Sequence, residues 1–161
     1  MIQSGVLATF EHNRQSGLKD TEAGGQLFGR LVDNNLVVEF ATGPRPTDIR
    51  TRYSYKPDRR AEQKEINRYH QEGFLFLGDW HTHPEPYPSP SSQDLLSIRE
   101  AYKQSTHHLN GFLLIIAGTH GLPSGLYVAV HNDREDVRLV QRGLDYPRLL
   151  STETIPNGEA S

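Results

Sequence analysis

Gly78-Asp79-Trp80-His81-Thr82-His83-Pro84-Glu85-Pro86-Tyr87-Pro88-Ser89-Pro90-Ser91-Ser92-Gln93-Asp94 is the stretch that decides how this chain is read. It begins as the end of a strand. Two histidines two apart on a strand project from the same face, about 6–7 Å apart along the chain, so both imidazoles can converge on one cation. Residues 84–90 hold four prolines in seven positions and exclude regular structure. Beyond that loop, Asp94 can return as an oxygen ligand. Two histidines and one carboxylate leave a fourth position of a tetrahedral zinc for water, the arrangement of a catalytic rather than a structural site.

Each part also has a plain reading. A His-x-His pair on a half-buried strand is often packed and hydrogen-bonded and nothing more. Ser91 reads equally well as a helix N-cap, with Asp94 in the first turn facing the helix dipole. The two readings are compatible, because a helix N-terminus holds an aspartate in a fixed place. Asp79 shares the histidine face if the strand is regular. It is then either an acceptor for a ligand histidine or an exposed polar residue. Trp80 points the other way, into a core.

Working outward, residues 74–83 form the strand, and Phe74-Leu75-Phe76-Leu77, apolar on both faces, predicts a central position. A helix is predicted over 92–103, a second buried strand over 112–117, a turn over 121–125, a third strand over 126–131 and an edge strand over 137–140. Upstream, Pro57 opens a polar helix that runs to about residue 72, with Gly73 as its cap. Runs 26–32 and 36–40 are β-rich and joined by Asp33-Asn34-Asn35, which predicts a hairpin. Residues 43–55 read as an irregular connection. Val6, Leu7 and Phe10 recur at helical spacing, which predicts a helix over 4–16 with Ser4 as a cap and Gly17 as a stop. The order of elements indicates an α+β domain of the α/β/α type, a mixed sheet flanked by helices. Its span is residues 1–144, followed by a polar tail over 145–161 that is expected to be mobile.

Composition narrows the classes. The chain has 161 residues, no cysteine and a net charge of -3. One domain of this size buries roughly 70% of the surface of its unfolded chain. Disulfides, cysteine zinc sites and thiol nucleophiles are excluded. The acidic balance argues against nucleic acid as a partner. No signal peptide and no membrane-spanning run are visible, so a cytoplasmic protein is expected. Arg45, Arg50, Arg52, Lys56, Arg59 and Arg60 make residues 43–60 locally basic against Asp48 and Asp58. This is either a solvated face or a docking surface for an acidic partner. Arg50 and Arg52 are its weak candidates for substrate binding. His12, His70, His120 and His131 belong to no readable motif, and His107-His108 are read as the end of a helix, complementing its dipole.

Glu22 precedes Gly24-Gly25-Gln26-Leu27-Phe28-Gly29, at the entry to the first hairpin. Water activated by a metal needs a base to take its proton and later return it to the leaving amine, and a glutamate can serve. Glu22, then His81-x-His83-Pro84, then Ser91 seven positions after Pro84, then Asp94, resembles the JAMM motif of the JAB/MPN metalloproteases. The Glu-x-Gly-Gly-x-Leu-x-Gly context of Glu22 is similar to that family as well. The resemblance covers roughly residues 4–140. It implies a curved, mixed sheet of the JAB/MPN (cytidine-deaminase-like) fold. It assigns His81, His83 and Asp94 as ligands of one zinc ion per chain, Glu22 as the general base and Ser91 as a hydrogen-bond donor to the oxyanion.

The family cleaves peptide or isopeptide bonds after the C-terminus of ubiquitin or a ubiquitin-like protein, so a protein substrate with an extended C-terminal tail is implied. The Gly-Asp-Trp-His-Thr-His-Pro-Glu-Pro string resembles more narrowly the small bacterial JAB proteins, among them the deconjugating peptidases of CBASS anti-phage operons. Those remove a protein joined through the C-terminus of a CD-NTase. Processing of a ubiquitin-like or sulfur-carrier precursor would use the same site, and a non-catalytic zinc-bound scaffold is the third reading. The oligomeric state stays open. The family usually places a strand before the first helix, where only Met1–Gln3 stand here.

Overall fold

The computed structural model describes residues 1–140 and the backbone of Ser151–Thr152. The tail expected over 145–161 lies otherwise outside the described residues.

Helix α1 (Ser4–Asn13) is followed by the hairpin β1 (Gly24–Val32) and β2 (Asn35–Ala41), then a second hairpin, β3 (Ile49–Thr51) and β4 (Ser54–Lys56). Helix α2 (Arg59–Gln71) leads into β5 (Leu75–Thr82), and α3 (Ser92–Gln104) into β6 (Phe112–Ala117). Strands β7 (Leu126–His131), β8 (Asp136–Val140) and β9 (Ser151–Thr152) complete the sheet. The large sheet runs β2-β1-β5-β6-β7-β8-β9, and β3-β4 is separate. Strands β5 and β6 are parallel; the other pairings are antiparallel, so the sheet is mixed as the sequence predicts.

The apolar run on β6 explains the layering. Leu113, Ile115 and Ala117 pack with Val6 and Phe10 of α1 on one face, and Phe112, Leu114 and Ile116 pack with Ile98 of α3 on the other. Helix α2 covers the second face too, over Phe28, Phe40 and Phe76, with Tyr69 4.7 Å from the rings of Phe28 and Phe40. A strand buried on both sides can afford no polar residue, and β6 has none. Paired register shifts at Leu27–Gly29 bend β1 against both neighbours and curl the sheet.

Several expected boundaries move. Helix α1 ends at Asn13 rather than 16, and its N-cap is Gln3 without a side-chain bond, not Ser4. Helix α2 starts after Asp58, whose carboxylate accepts from the Arg60 and Ala61 backbone amides. Residues 43–55 are not wholly irregular, because they contain β3 and the start of β4. The segment before α1 does reach the sheet: Ile2 bridges Val38 in parallel, with Gln3 N donating to Val38 O at 3.0 Å. It stands where the resemblance places an edge strand.

Candidate metal centre

Gly78 decides which way the histidines face. Leu27 pairs with Gly78 and Phe28 with Phe76, so Leu77 is an extra residue in β5. Gly78 takes φ +136°, a region open to glycine and few others, and a Cβ there would stand 1.9 Å from Leu113 O. The bulge shifts the alternation by one. Leu75 and Leu77 face α1, and so does Trp80, 5.2 Å from the Phe10 ring. Asp79, His81 and His83 therefore face α2 and α3, where they line a cavity of about 530 Å³.

Into this cavity α3 delivers Asp94. Ser91 is the N-cap: Asp94 N donates to Ser91 Oγ at 3.1 Å, and Ser91 N donates to Asp94 Oδ2 at 2.7 Å. This reciprocal box fixes the carboxylate against the end of β5. His81 Nε2 and His83 Nε2 are 3.1 Å apart, and they lie 3.3 and 3.4 Å from Asp94 Oδ1 and Oδ2. Tetrahedral ligands at zinc distances are about 3.3 Å apart along each edge, so the three side chains fit such a cation. No other group of three or more His, Cys, Asp or Glu side chains among the described residues is so arranged. Ser91 lines the same cavity, with its hydroxyl oxygen accepting from the Asp94 amide.

Charge follows from this geometry. Burial alone would raise Asp94, but hydrogen bonds from His81, His83 and Ser91 outweigh it and hold the carboxyl well below the usual range. Burial would lower His83, yet Asp94 and Glu22 raise it above its ordinary value. Glu22 is 6% exposed and also faces the cavity. Burial pushes its carboxyl up to about 7, with His83 pulling down and Asp94 and Glu85 pushing up. A group titrating near neutrality beside a cation site can both take and return a proton.

The family model for prokaryotic homologues of the JAB domain matches residues 7–140. The chain belongs to this prokaryotic JAB family. Among its relatives, a CD-NTase/cGAS isopeptidase of Escherichia coli is 35% identical over 100 residues, 60% of this chain and 64% of that protein. One from Pseudomonas aeruginosa is 37% identical over 125 residues, 73% of this chain and 75% of that protein. A Sinorhizobium fredii protein named a "probable metalloprotease" is 41% identical over 86 residues, half of this chain and 52% of that protein. The chain thus spans less than two thirds of the length of the E. coli relative. Solved structures share the fold. A Desulfitobacterium hafniense protein superposes with TM-score 0.59 at 18% identity over 86% of this chain and 89% of its own. A Salinibacter ruber protein gives 0.52 at 20% identity over 95% and 97%.

Within this JAB domain, all five motif residues line one cavity. Asp79 lines it too, but among the described residues its carboxylate hydrogen-bonds neither histidine; burial and Glu62 push it up to about 7. The basic segment is largely committed to internal bonds. Arg45 pairs with Glu65, and Arg59 with Glu62 at 2.9 Å. Arg50 Nε donates to Glu22 O at 2.5 Å, and Arg52 Nη1 to Gly17 O at 2.8 Å. His107-His108 lie past the end of α3 rather than in it, although His107 Nε2 still reaches Tyr102 O at 2.9 Å. His131 is fully buried, with Nδ1 2.7 Å from Asp136. Sequence reading missed the β3–β4 hairpin, whose Arg52, Tyr53 and Ser54 line the cavity. The short strands carry no apolar alternation that could have announced them.

Proposed function

We propose that this chain is a zinc-dependent isopeptidase that hydrolyses the amide joining the C-terminus of one protein to another. The observation that carries this is the His81-His83-Asp94 set with Glu22 and Ser91 on the same cavity. Zinc held by these three side chains would supply Lewis acidity and lower the pKa of water to about 7. Glu22 takes the proton of the attacking water and hands it to the leaving amine. Ser91 donates to the carbonyl oxygen as it gains charge, a contribution of a few kcal/mol in comparable sites.

The names of the relatives support a protein conjugate as substrate, and a CD-NTase joined to a target in bacterial anti-phage defence is the conjugate we propose. An extended C-terminal tail would lie along the strand edge beside the cavity, gaining backbone hydrogen bonds. We place the chemistry within residues 1–144 and assign no catalytic group to 145–161. No helix among the described residues is long and apolar enough to cross a membrane.

Purified protein loaded with zinc and given such a conjugate should release both halves, with one zinc per chain. Cleavage that persists in Glu22→Gln, or protein that takes up no zinc on titration, would sink the proposal.

A further inference from the structure

Behind the metal-facing side of β5 lies a buried polar chain. Thr82 stands between the two histidines and points to the opposite face, fully buried. Its Oγ1 accepts from Ala23 N at 2.9 Å, and its hydroxyl donates to Gln15 Oε1 at 3.1 Å. Thr82 N in turn donates to Ala23 O at 2.8 Å. Ala23 directly follows Glu22, so the strand that bears the histidines is clamped to the segment that bears the base by two bonds to one residue.

Gln15 extends the chain. It is 1% exposed, just past the end of α1. Its Nε2 donates to Arg52 O at 2.8 Å and to Asp20 O at 3.3 Å. Two carbonyls on one side and a hydroxyl on the other fix the orientation of the amide. Arg52 is the turn of the β3–β4 hairpin, and that hairpin returns to Glu22 from the other side. Glu22 N donates to Thr51 O at 2.7 Å, and Arg50 Nε to Glu22 O. The loop closes through Gln15, Thr82, Ala23, Glu22, Thr51 and Arg52.

We infer that Thr82 and Gln15 are positioning residues: together they set Glu22 against the His81–His83 pair and tie both to the hairpin that borders the cavity. This inference rests on the proposed hydrolytic function. Satisfied buried hydrogen bonds are stiff, whereas a solvent-facing loop is not. Residues 14–23 hold no regular secondary structure. Glu22 would otherwise hang from an irregular segment between α1 and β1, and a general base misplaced by about 1 Å loses on the order of a hundredfold in rate. Valine at 82 keeps the shape and the backbone bond to Ala23 but removes both hydroxyl bonds, to the Ala23 amide and to Gln15; serine keeps both.

The test compares Thr82→Val, Thr82→Ser, Gln15→Leu and the Thr82→Val/Gln15→Leu double variant in zinc-loaded full-length protein. The readouts are kcat and KM on a conjugate, zinc stoichiometry, thermal unfolding and amide exchange. Thr82→Val and Gln15→Leu should each lower kcat about tenfold or more, with KM and zinc content little changed. The double variant should fall no further than the worse single one, and Thr82→Ser should recover most of the rate, because the two act as one unit. Effects on kcat that multiply in the double variant, or serine as damaging as valine, would overturn the inference.

Should Thr82→Val not fold, Gln15→Leu and Thr82→Ser decide it: Gln15→Leu with wild-type kcat overturns it. If the wild type cleaves nothing, the functional reading fails separately, and exchange decides the relay. Faster exchange at the Ala23 amide in Thr82→Val and across residues 49–56 in Gln15→Leu supports it; unchanged protection at both overturns it.

Discussion

At neutral pH Glu22 sits near the middle of its titration, because burial holds its carboxyl at about 7 instead of 4.5. In metal-free protein the folded state therefore binds a proton more tightly than the unfolded chain. Stability contributed by that proton is complete below about 4.5 and is lost as pH rises through about 7. Glu22→Gln keeps the shape without the charge. In chelator-treated protein it should match the wild type near pH 4 and exceed it at pH 8. The gain is at most about 3 kcal/mol, and less because the carboxylate faces a solvent-accessible cavity. Denaturant titration at the two pH values measures it, and equal stabilities at pH 8 would contradict the burial argument. With zinc present the same substitution should leave metal content at one per chain while cleavage falls about a hundredfold or more. Ser91 caps α3 and, in the proposed mechanism, also serves the reaction. Ser91→Ala removes the bond to the Asp94 amide, at a cost of about 1 kcal/mol to the helix, and also removes the proposed donor to the oxyanion. Calorimetry should show weaker zinc binding and kinetics a lower kcat, whereas Ser91→Asp should restore the cap without restoring kcat.

The bulge in β5 matters more than any helix. Leu77 is the extra residue, and Gly78 at φ +136° is what allows it. A side chain at 78 would meet the Leu113 carbonyl at 1.9 Å in the parallel neighbour β6. Gly78→Ala should thus destabilise the protein by about 2–3 kcal/mol or prevent folding, since both the backbone conformation and the contact oppose it. Any folded fraction should bind zinc poorly, because relief of the bulge would turn His81 and His83 toward α1. Urea unfolding with parallel zinc titration follows both, and wild-type stability with wild-type affinity would refute this role. Helix α3 serves the same site from the other side. Its capping box holds Asp94 at the N-terminus, where the helix dipole favours an anion, so structural and functional readings of Ser91 and Asp94 describe one arrangement.

Across the whole molecule the candidate ligands come from β5, the residue just past it and α3, and the proposed base from the irregular segment before β1, so a cation there would tie β5 to α3 beside the β1 entry. A metal that binds only the folded chain stabilises it by mass action, about 2.7 kcal/mol at a hundredfold excess over Kd. The melting temperature should rise with added zinc in the wild type and not in His81→Ala or Asp94→Ala; a rise in those variants would place the metal elsewhere. Much of this was legible beforehand. Gly78–Asp94 supplied the candidate ligands that the fold brings together, because side-chain chemistry and spacing are local, and the six apolar residues of β6 announced a strand buried on both faces. The pair Asp33-Asn34, both at positive φ, announced the first hairpin through its turn. What lay beyond reach was long-range. The β3–β4 hairpin has three-residue strands that depend on contacts with residues 22 and 15 far earlier in the chain. Gln15 looked like any polar residue after a helix until Thr82, 67 positions away, closed on it. The sequence by itself determined which atoms could hold a metal and move a proton. Only the tertiary structure decided the direction in which they point, because a one-residue bulge reverses a strand's two faces, and although Gly78 permits the bulge, its place is set by the register with β1 and the close approach of β6.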